Sequence, residues 1–189
     1  MMERNAVASP RPRARTTGLV YLLYFLTTVS AEVFIGHRRL VVYDAVNLTA
    51  DAFYVAVTLL FYYMFKPVNR SLSWLAAFFS LAGCANEVLR LLNLAPSKIN
   101  SLVFFGPYCL LLGYLIFRSA FLPRILGVLM AFAGLGWLIF LSPLAHPLST
   151  YLKILGFLAE ASLMLWLLVM GVNEQRWNER ASAARAIQN

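Results

Sequence analysis

The chain has 189 residues, of which 61% are hydrophobic and 13% charged, with a formal net charge of +8. A soluble domain carries about 25% charged residues, and the mean hydropathy of +0.71 agrees in excluding a water-soluble fold. About 20 apolar residues span a hydrocarbon core, so the apolar fraction accommodates six spans and leaves nothing for a soluble domain.

Residues 1–17 form an Arg- and Pro-rich tail, and the first span runs from Gly18 to Gly36, ended by His37, Arg38 and Arg39. Val29-Ser30-Ala31 offers the small residues of a signal-peptide cleavage site, but the apolar run continues past it, which favours a retained helix. The second span runs from Asp44 or Ala45 to Phe65 and stops at Lys66-Pro67, because proline cannot continue a helix and lysine complements its C-terminal dipole. The third covers Ser71 to Leu94, closed by Ala95-Pro96. In the fourth, Ile99 to Phe117, Pro107 removes the hydrogen bond to the Val103 carbonyl, which predicts a kink beside Gly106. The fifth starts near Pro123 and reaches Leu141 or Ser142, and the sixth runs from Ser149, read as an N-cap, to Gly171. Residues 172–189 remain as a C-terminal tail. Short connections make sequence neighbours pack antiparallel. The expected fold is all-α: a polytopic integral membrane protein with a compact bundle of six transmembrane helices over residues 18–171.

The positive charges report orientation. Arg4, Arg11, Arg13, Arg15, Lys66, Arg70, Arg118, Arg124, Arg176, Arg180 and Arg185 flank one side of the spans, against Arg38, Arg39, Lys98 and Lys153 on the other. This asymmetry predicts a multi-pass membrane protein with both termini cytoplasmic. Because the basic residues fall between apolar runs, the bilayer is the expected partner and nucleic acid is not. Cys84 and Cys109 read as small apolar fillers. Gly83, Gly113, Gly127, Gly134, Gly136 and Gly156 allow close helix contacts. Trp74, Trp137, Trp166 and Trp177, with Tyr43, Tyr62, Tyr63 and Tyr151, read as interfacial belts.

Polar residues inside the spans carry the functional signal. Asp44, Asn47, Asp51, Tyr54 and Thr58 share one face of the second helix, and Gly83, Asn86, Glu87, Arg90 and Asn93 one face of the third. Thr28 and Glu32 stripe the first helix, and Lys153, Gly156 and Glu160 the sixth. Counting along each helix places Asp51, Glu87, Tyr108 and Glu160 at one level, about 10 to 16 Å deep. Charges in lipid cost about 2.5 to 3.5 kcal/mol at the bilayer centre, so these side chains are expected to converge inside the bundle. The candidate ligand or proton site is Glu32, Asp51, Asn86, Glu87, Arg90, Tyr108 and Glu160. No HExxH, ExxH or paired-histidine pattern accompanies His37 and His146, and no GxSxG, Walker loop, GxGxxG or CxxC occurs. No metal, cofactor or catalytic residue is therefore assigned.

The strings RTTGLVYLLYFLTTVSAE, FKPVNRSLSWLAAFFSLAG, LVFFGPYCLLLGYLIFRSAFLPRILGVLMAFAGLGWLI and LAEASLMLWLLVMGVN resemble the bacterial domain-of-unknown-function family 4386 over Arg15 to Asn173. The resemblance implies about six spans, acidic residues at the positions of Glu32 and Glu160, and a histidine where this chain has Tyr108. It supplies no catalytic residues. Two readings stay open at this point. One is an outward-facing acidic cavity that binds protons, a cation, a lipid or another small molecule, as in a transporter or sensor. The other is a structural bundle in which the same residues form a buried polar network; an intramembrane enzyme ranks below both.

Overall fold

The computed structural model describes residues 10–35, 40–92, 94 and 100–186. His37, Arg38, Arg39, Asn93, Lys98 and the Ala95-Pro96 stop, all invoked above, lie outside the described residues. Seven helices follow in order: α1 (Pro10–Ser30), α2 (Leu40–Phe65), α3 (Arg70–Leu91), α4 (Leu102–Ser119), α5 (Arg124–Leu138), α6 (Ala145–Val169) and α7 (Glu174–Ala186). A π-helical turn, Ala31–Ile35, extends α1, and a 3₁₀ turn, Ile139–Leu141, extends α5. Six of the helices are long and apolar enough to cross a membrane. This is the all-α, six-span architecture expected from composition.

Local chemistry sets the helix ends. Asn69 caps α3 by accepting the Leu72 amide at 2.9 Å, while Pro67 stops α2. After Ser119 the chain turns through Ala120, which adopts a left-handed φ of 60°, and Pro123 starts α5. Three helix starts differ from the expected ones by four residues or more, and one of them is that of α2, at Leu40 instead of Asp44 or Ala45. α1 begins at Pro10, so the arginines 11, 13 and 15 are helical. α6 begins at Ala145, with Leu144 as its cap and no side-chain capping bond; Ser149 is therefore an interior residue whose hydroxyl donates back to the His146 carbonyl.

Each membrane helix packs on its neighbours in sequence, and α6 closes back on α1, so the bundle is a ring. Exposed Leu19, Leu26, Trp74, Phe132 and Leu158 form its lipid face, while Tyr21, Tyr108, Leu112, Ile116, Met130 and Leu163 fill its centre. The tightest seam joins α4 and α5. A Cβ on Gly113 would lie 2.6 Å from the Gly127 carbonyl oxygen and one on Gly127 would lie 2.6 Å from that of Gly113. One heptad away, a Cβ on Gly134 would lie 2.8 Å from the Gly106 carbonyl. The paired glycines bring the two backbones together where no side chain fits, the small-residue packing that replaces hydrophobic driving force in lipid.

The C-terminal segment is more than a tail. α7 is polar, yet Trp177 is buried and its indole N–H donates to the Met64 carbonyl at 3.1 Å. Arg176 and Arg180 donate to the carbonyls of Ala120 and Arg118, groups left over at the end of α4. Trp177 and Trp137 are thus core residues and not belt residues, whereas Trp74, Tyr63 and Tyr151 are exposed as a belt requires.

Because the obstructing atoms at Gly113 are backbone, Gly113→Ala is expected to lower stability by about 1 to 3 kcal/mol through overpacking. Gly136, where an added Cβ would sit 3.4 Å from Leu152, should accept alanine with little change. Thermal unfolding of both variants in detergent measures the contrast.

Candidate functional site

Two polar clusters occupy one end and the middle of the bundle. The first joins α2, the C-terminal end of α3 and the start of α4. Arg90 reaches Glu87 through two hydrogen bonds, one from Nε to Oε2 at 3.1 Å and one from Nη2 to Oε1. Ser101 donates to Glu87 Oε2 at 2.7 Å, and Asn86 donates to Ser101 at 2.8 Å. Asp51, one helix away, lies within electrostatic reach of both Glu87 and Arg90. Glu32, on the π-helical turn, accepts the Tyr43 hydroxyl at 2.6 Å, and Tyr43 in turn lies within reach of Arg90.

The inner cluster is a carboxyl in an aromatic chamber. Glu160 on α6 is 8% exposed, and the Tyr21 hydroxyl of α1 donates to its Oε2 at 2.6 Å. Tyr21 touches the rings of Tyr24, Phe25, Tyr54 and Phe61. Tyr54 packs on Tyr24 at 4.7 Å, on Phe105 at 5.2 Å and on Tyr108 at 6.1 Å between ring centroids. Tyr24 links the clusters, being within electrostatic reach of both Glu160 and Asp51.

This arrangement corrects part of the expected site. Arg90 is no deep counter-ion: its side chain is 46% exposed, at the C-terminal end of α3, and it serves Glu87. Glu160 forms no ion pair among the described residues. Lys153 is exposed and does not join Glu160. The pairing of Glu87 with Arg90, supported by Asn86, is as the three-residue spacing implies, while Tyr108 belongs to the inner chamber. Tyr21 and Tyr24 were missed by sequence reasoning, although Tyr21 continues the Thr28 and Glu32 stripe inward by helical steps.

Asp51 Oδ2 is buried without a hydrogen bond, and a buried polar atom left unpaired costs about 1 to 3 kcal/mol. The hydroxyl of Tyr54 faces that of Tyr108, the Thr28 hydroxyl faces Tyr24 and the Trp137 indole N–H faces the Cys109 thiol, each short of full hydrogen-bond geometry. Two cavities are described elsewhere. One, of about 10 Å³, lies between α2, α3 and α4, and one, of about 40 Å³, is lined by Arg13, Thr17, Met64 and Trp177 at the opposite end. Of the expected site residues only Tyr108 lines either. Among the described residues no three His, Cys, Asp or Glu side chains form a metal-binding group.

The model of the family described as Domain of unknown function (DUF4386) matches residues 99–171. The chain resembles this family. The matched stretch is α4 to the end of α6, so it contains Tyr108 and Glu160, while Glu32, Asp51, Asn86, Glu87 and Arg90 precede it. An uncharacterized protein of Archaeoglobus fulgidus is 27% identical over 159 residues, covering 76% of this chain and 93% of its own length. No solved structure matches the chain. The DUF4386 likeness thus spans the half of the ring that supplies the buried carboxyl, and α1 and α2 supply its tyrosines.

The two clusters should respond differently to truncation. Removing Tyr21's hydroxyl (Tyr21→Phe) leaves a buried carboxyl without its donor and should cost about 1 to 3 kcal/mol. Arg90→Met breaks a half-exposed pair and should cost less than about 1 kcal/mol. Unfolding midpoints in detergent give the order, and an equal or larger loss for Arg90→Met would show that the outer pair is the structural one.

Proposed function

We propose that this is a small multi-pass protein of a bacterial inner membrane that takes up a proton or a compact cation from the outer face at Glu160, acting as a transporter or sensor. The observation that carries the reading is a buried carboxyl in a chamber of tyrosines that has a single neutral donor and no cation among the described residues. A bundle serving only as scaffold gains by satisfying such groups or replacing them with apolar ones. A site that alternates between loaded and empty states leaves them incomplete in one state. Asp51, half-buried between Glu160 and the Glu87–Arg90 cluster, is the outer approach, and Tyr24 spans the interval. Tyrosine faces attract cations, so an incoming positive species meets the Tyr21, Tyr24 and Tyr54 rings before the carboxylate. The excess of Arg and Lys at the ends of α1, α2, α4 and α7 supports cytoplasmic termini.

Infrared difference spectra recorded on acidification test the site. A protonated-carboxyl band should appear in the wild type, persist in Glu87→Gln and vanish in Glu160→Gln. The glutamine carbonyl still accepts the Tyr21 hydroxyl, so Glu160→Gln should unfold at or above the wild-type temperature. A marked loss of stability with no change in the carboxyl band would replace this reading with the structural network.

Orientation has its own check. In intact cells a membrane-impermeant thiol reagent should modify His146→Cys, at the start of α6, and spare Ser71→Cys, at the start of α3; the reverse pattern would invert the topology.

A further inference from the structure

The species taken up at Glu160 depends on the space around it and on what continues beyond it. The chamber is filled by rings: Tyr21 and Tyr108 are fully buried, Tyr54 is 3% exposed, and neither described cavity opens onto Glu160. An organic ligand has no volume there. A second line of buried hydroxyls, however, leads away from the chamber toward the cytoplasmic ends of α2 and α3. Thr58, one turn along α2 from Tyr54, donates to the Tyr54 carbonyl at 2.9 Å, and its hydroxyl shares a 2.6 Å hydrogen bond with Ser80 of α3. Thr58 and Ser73 line the cavity of about 10 Å³, and Tyr108, whose hydroxyl faces that of Tyr54, lines it too. That volume admits about one water molecule. Ser73 donates to the carbonyl of Asn69 at 2.7 Å, which stands at the exposed turn between α2 and α3. Thr58, Ser80 and Ser73 are all buried.

Resting on the Glu160 reading above, we infer that the ligand is the proton and that the line from Tyr108 through Thr58, Ser80 and Ser73 to Asn69 is the inner limb of a gated proton path. Asp51 and Tyr24 are the outer limb. The groups within electrostatic reach of the carboxyl are Tyr21 and Tyr24 of α1, Tyr54 of α2, and Tyr108 and Cys109 of α4, and the Trp137 indole of α5 packs on Gly156, one turn before it. None of them is a fixed cation that would hold Glu160 permanently ionised. In the transfer, Glu160 Oε gains an O–H bond as the outer donor loses its proton. The carboxyl then passes that proton to the Tyr108 oxygen as the Tyr108 O–H proton leaves to water in the small cavity, and the hydroxyls of Thr58, Ser80 and Ser73 relay it onward. No atom other than hydrogen moves between groups. Glu160 is bonded by Tyr21 and not by Tyr108, and Ser80 is bonded by Thr58 and not by Ser73, so the path has two breaks. The resting protein is therefore closed, and conduction waits on side-chain rotation at both.

The test uses the full chain in liposomes with a pH-sensitive dye inside, the membrane potential clamped with potassium and valinomycin, and an imposed pH step. The wild type should equilibrate faster than empty liposomes. Glu160→Gln and Tyr108→Phe should fall to the empty-liposome rate, and Ser80→Ala and Thr58→Val should be slowed, while Ser162→Ala, an outward hydroxyl, should match the wild type. Variants are compared where their unfolding midpoints are no lower than the wild type's; Ser80→Ala, the smallest change, serves if Thr58→Val fails to fold. A Glu160 carboxyl band without any dye response overturns the path and leaves the uptake site standing. A wild-type rate retained in Ser80→Ala and Tyr108→Phe overturns the inner limb as drawn, and a wild type no faster than lipid alone, with no carboxyl band, removes both readings.

Discussion

The hydrogen bond from Tyr21 to Glu160 joins the first membrane helix to the last. Five of the contacts in the ring are made by helices adjacent in sequence and need only short connections, but the sixth, between α1 and α6, must be specified by side chains. Close backbone packing of Gly18 on Leu167 and Leu168 sets the distance between these helices, and the Tyr21 hydroxyl sets their register. A carboxyl is an unusual choice for that task in lipid, since its desolvation works against burial and a serine or asparagine would have satisfied the same donor. Its presence ties the closure of the bundle to a group that can gain or lose a proton, so that packing and charge state share one pair of atoms.

The α4–α5 seam supports this arrangement from the opposite side. Where Gly113 meets Gly127 and Gly106 meets Gly134, the backbones touch, and the rigidity of that contact holds the Tyr108 ring against Tyr54. Pro107, next to Gly106, removes a donor from the same turn. A glycine-lined helix with a proline inside it, facing a tyrosine chamber, combines a fixed inner seam with a backbone that has one bond fewer to break.

Much of the architecture was legible in the sequence because lipid imposes length and composition on each span. The polar stripes were legible as well, since steps of three and four place Asn86, Glu87 and Arg90 together on one face. What spacing does not specify is how far each helix is rotated about its axis and how deep it sits. Both decide whether Glu160 meets Arg90 or Tyr21. The family likeness located α4 to α6 but carried no partner for Glu160, because that partner lies on α1. α7 escaped notice for a different reason: its sequence, EQRWNERASAARA, is polar all round, and it is held by one indole and two guanidinium groups reaching carbonyls that other helices leave unpaired.

The ring closure has a consequence for how the protein is made. Tyr21 enters the bilayer with the first helix, and its acceptor follows 139 positions later. Until α6 arrives, the growing chain is an open crescent whose free edge presents the Tyr21 face of α1 to lipid, while the α4–α5 pair, local in sequence, assembles early. In a crowded membrane that free edge fits the α6 of a neighbouring nascent chain as well as its own. Fidelity of assembly then rests on the short connection between α5 and α6, which delivers the matching helix before a stranger reaches the gap.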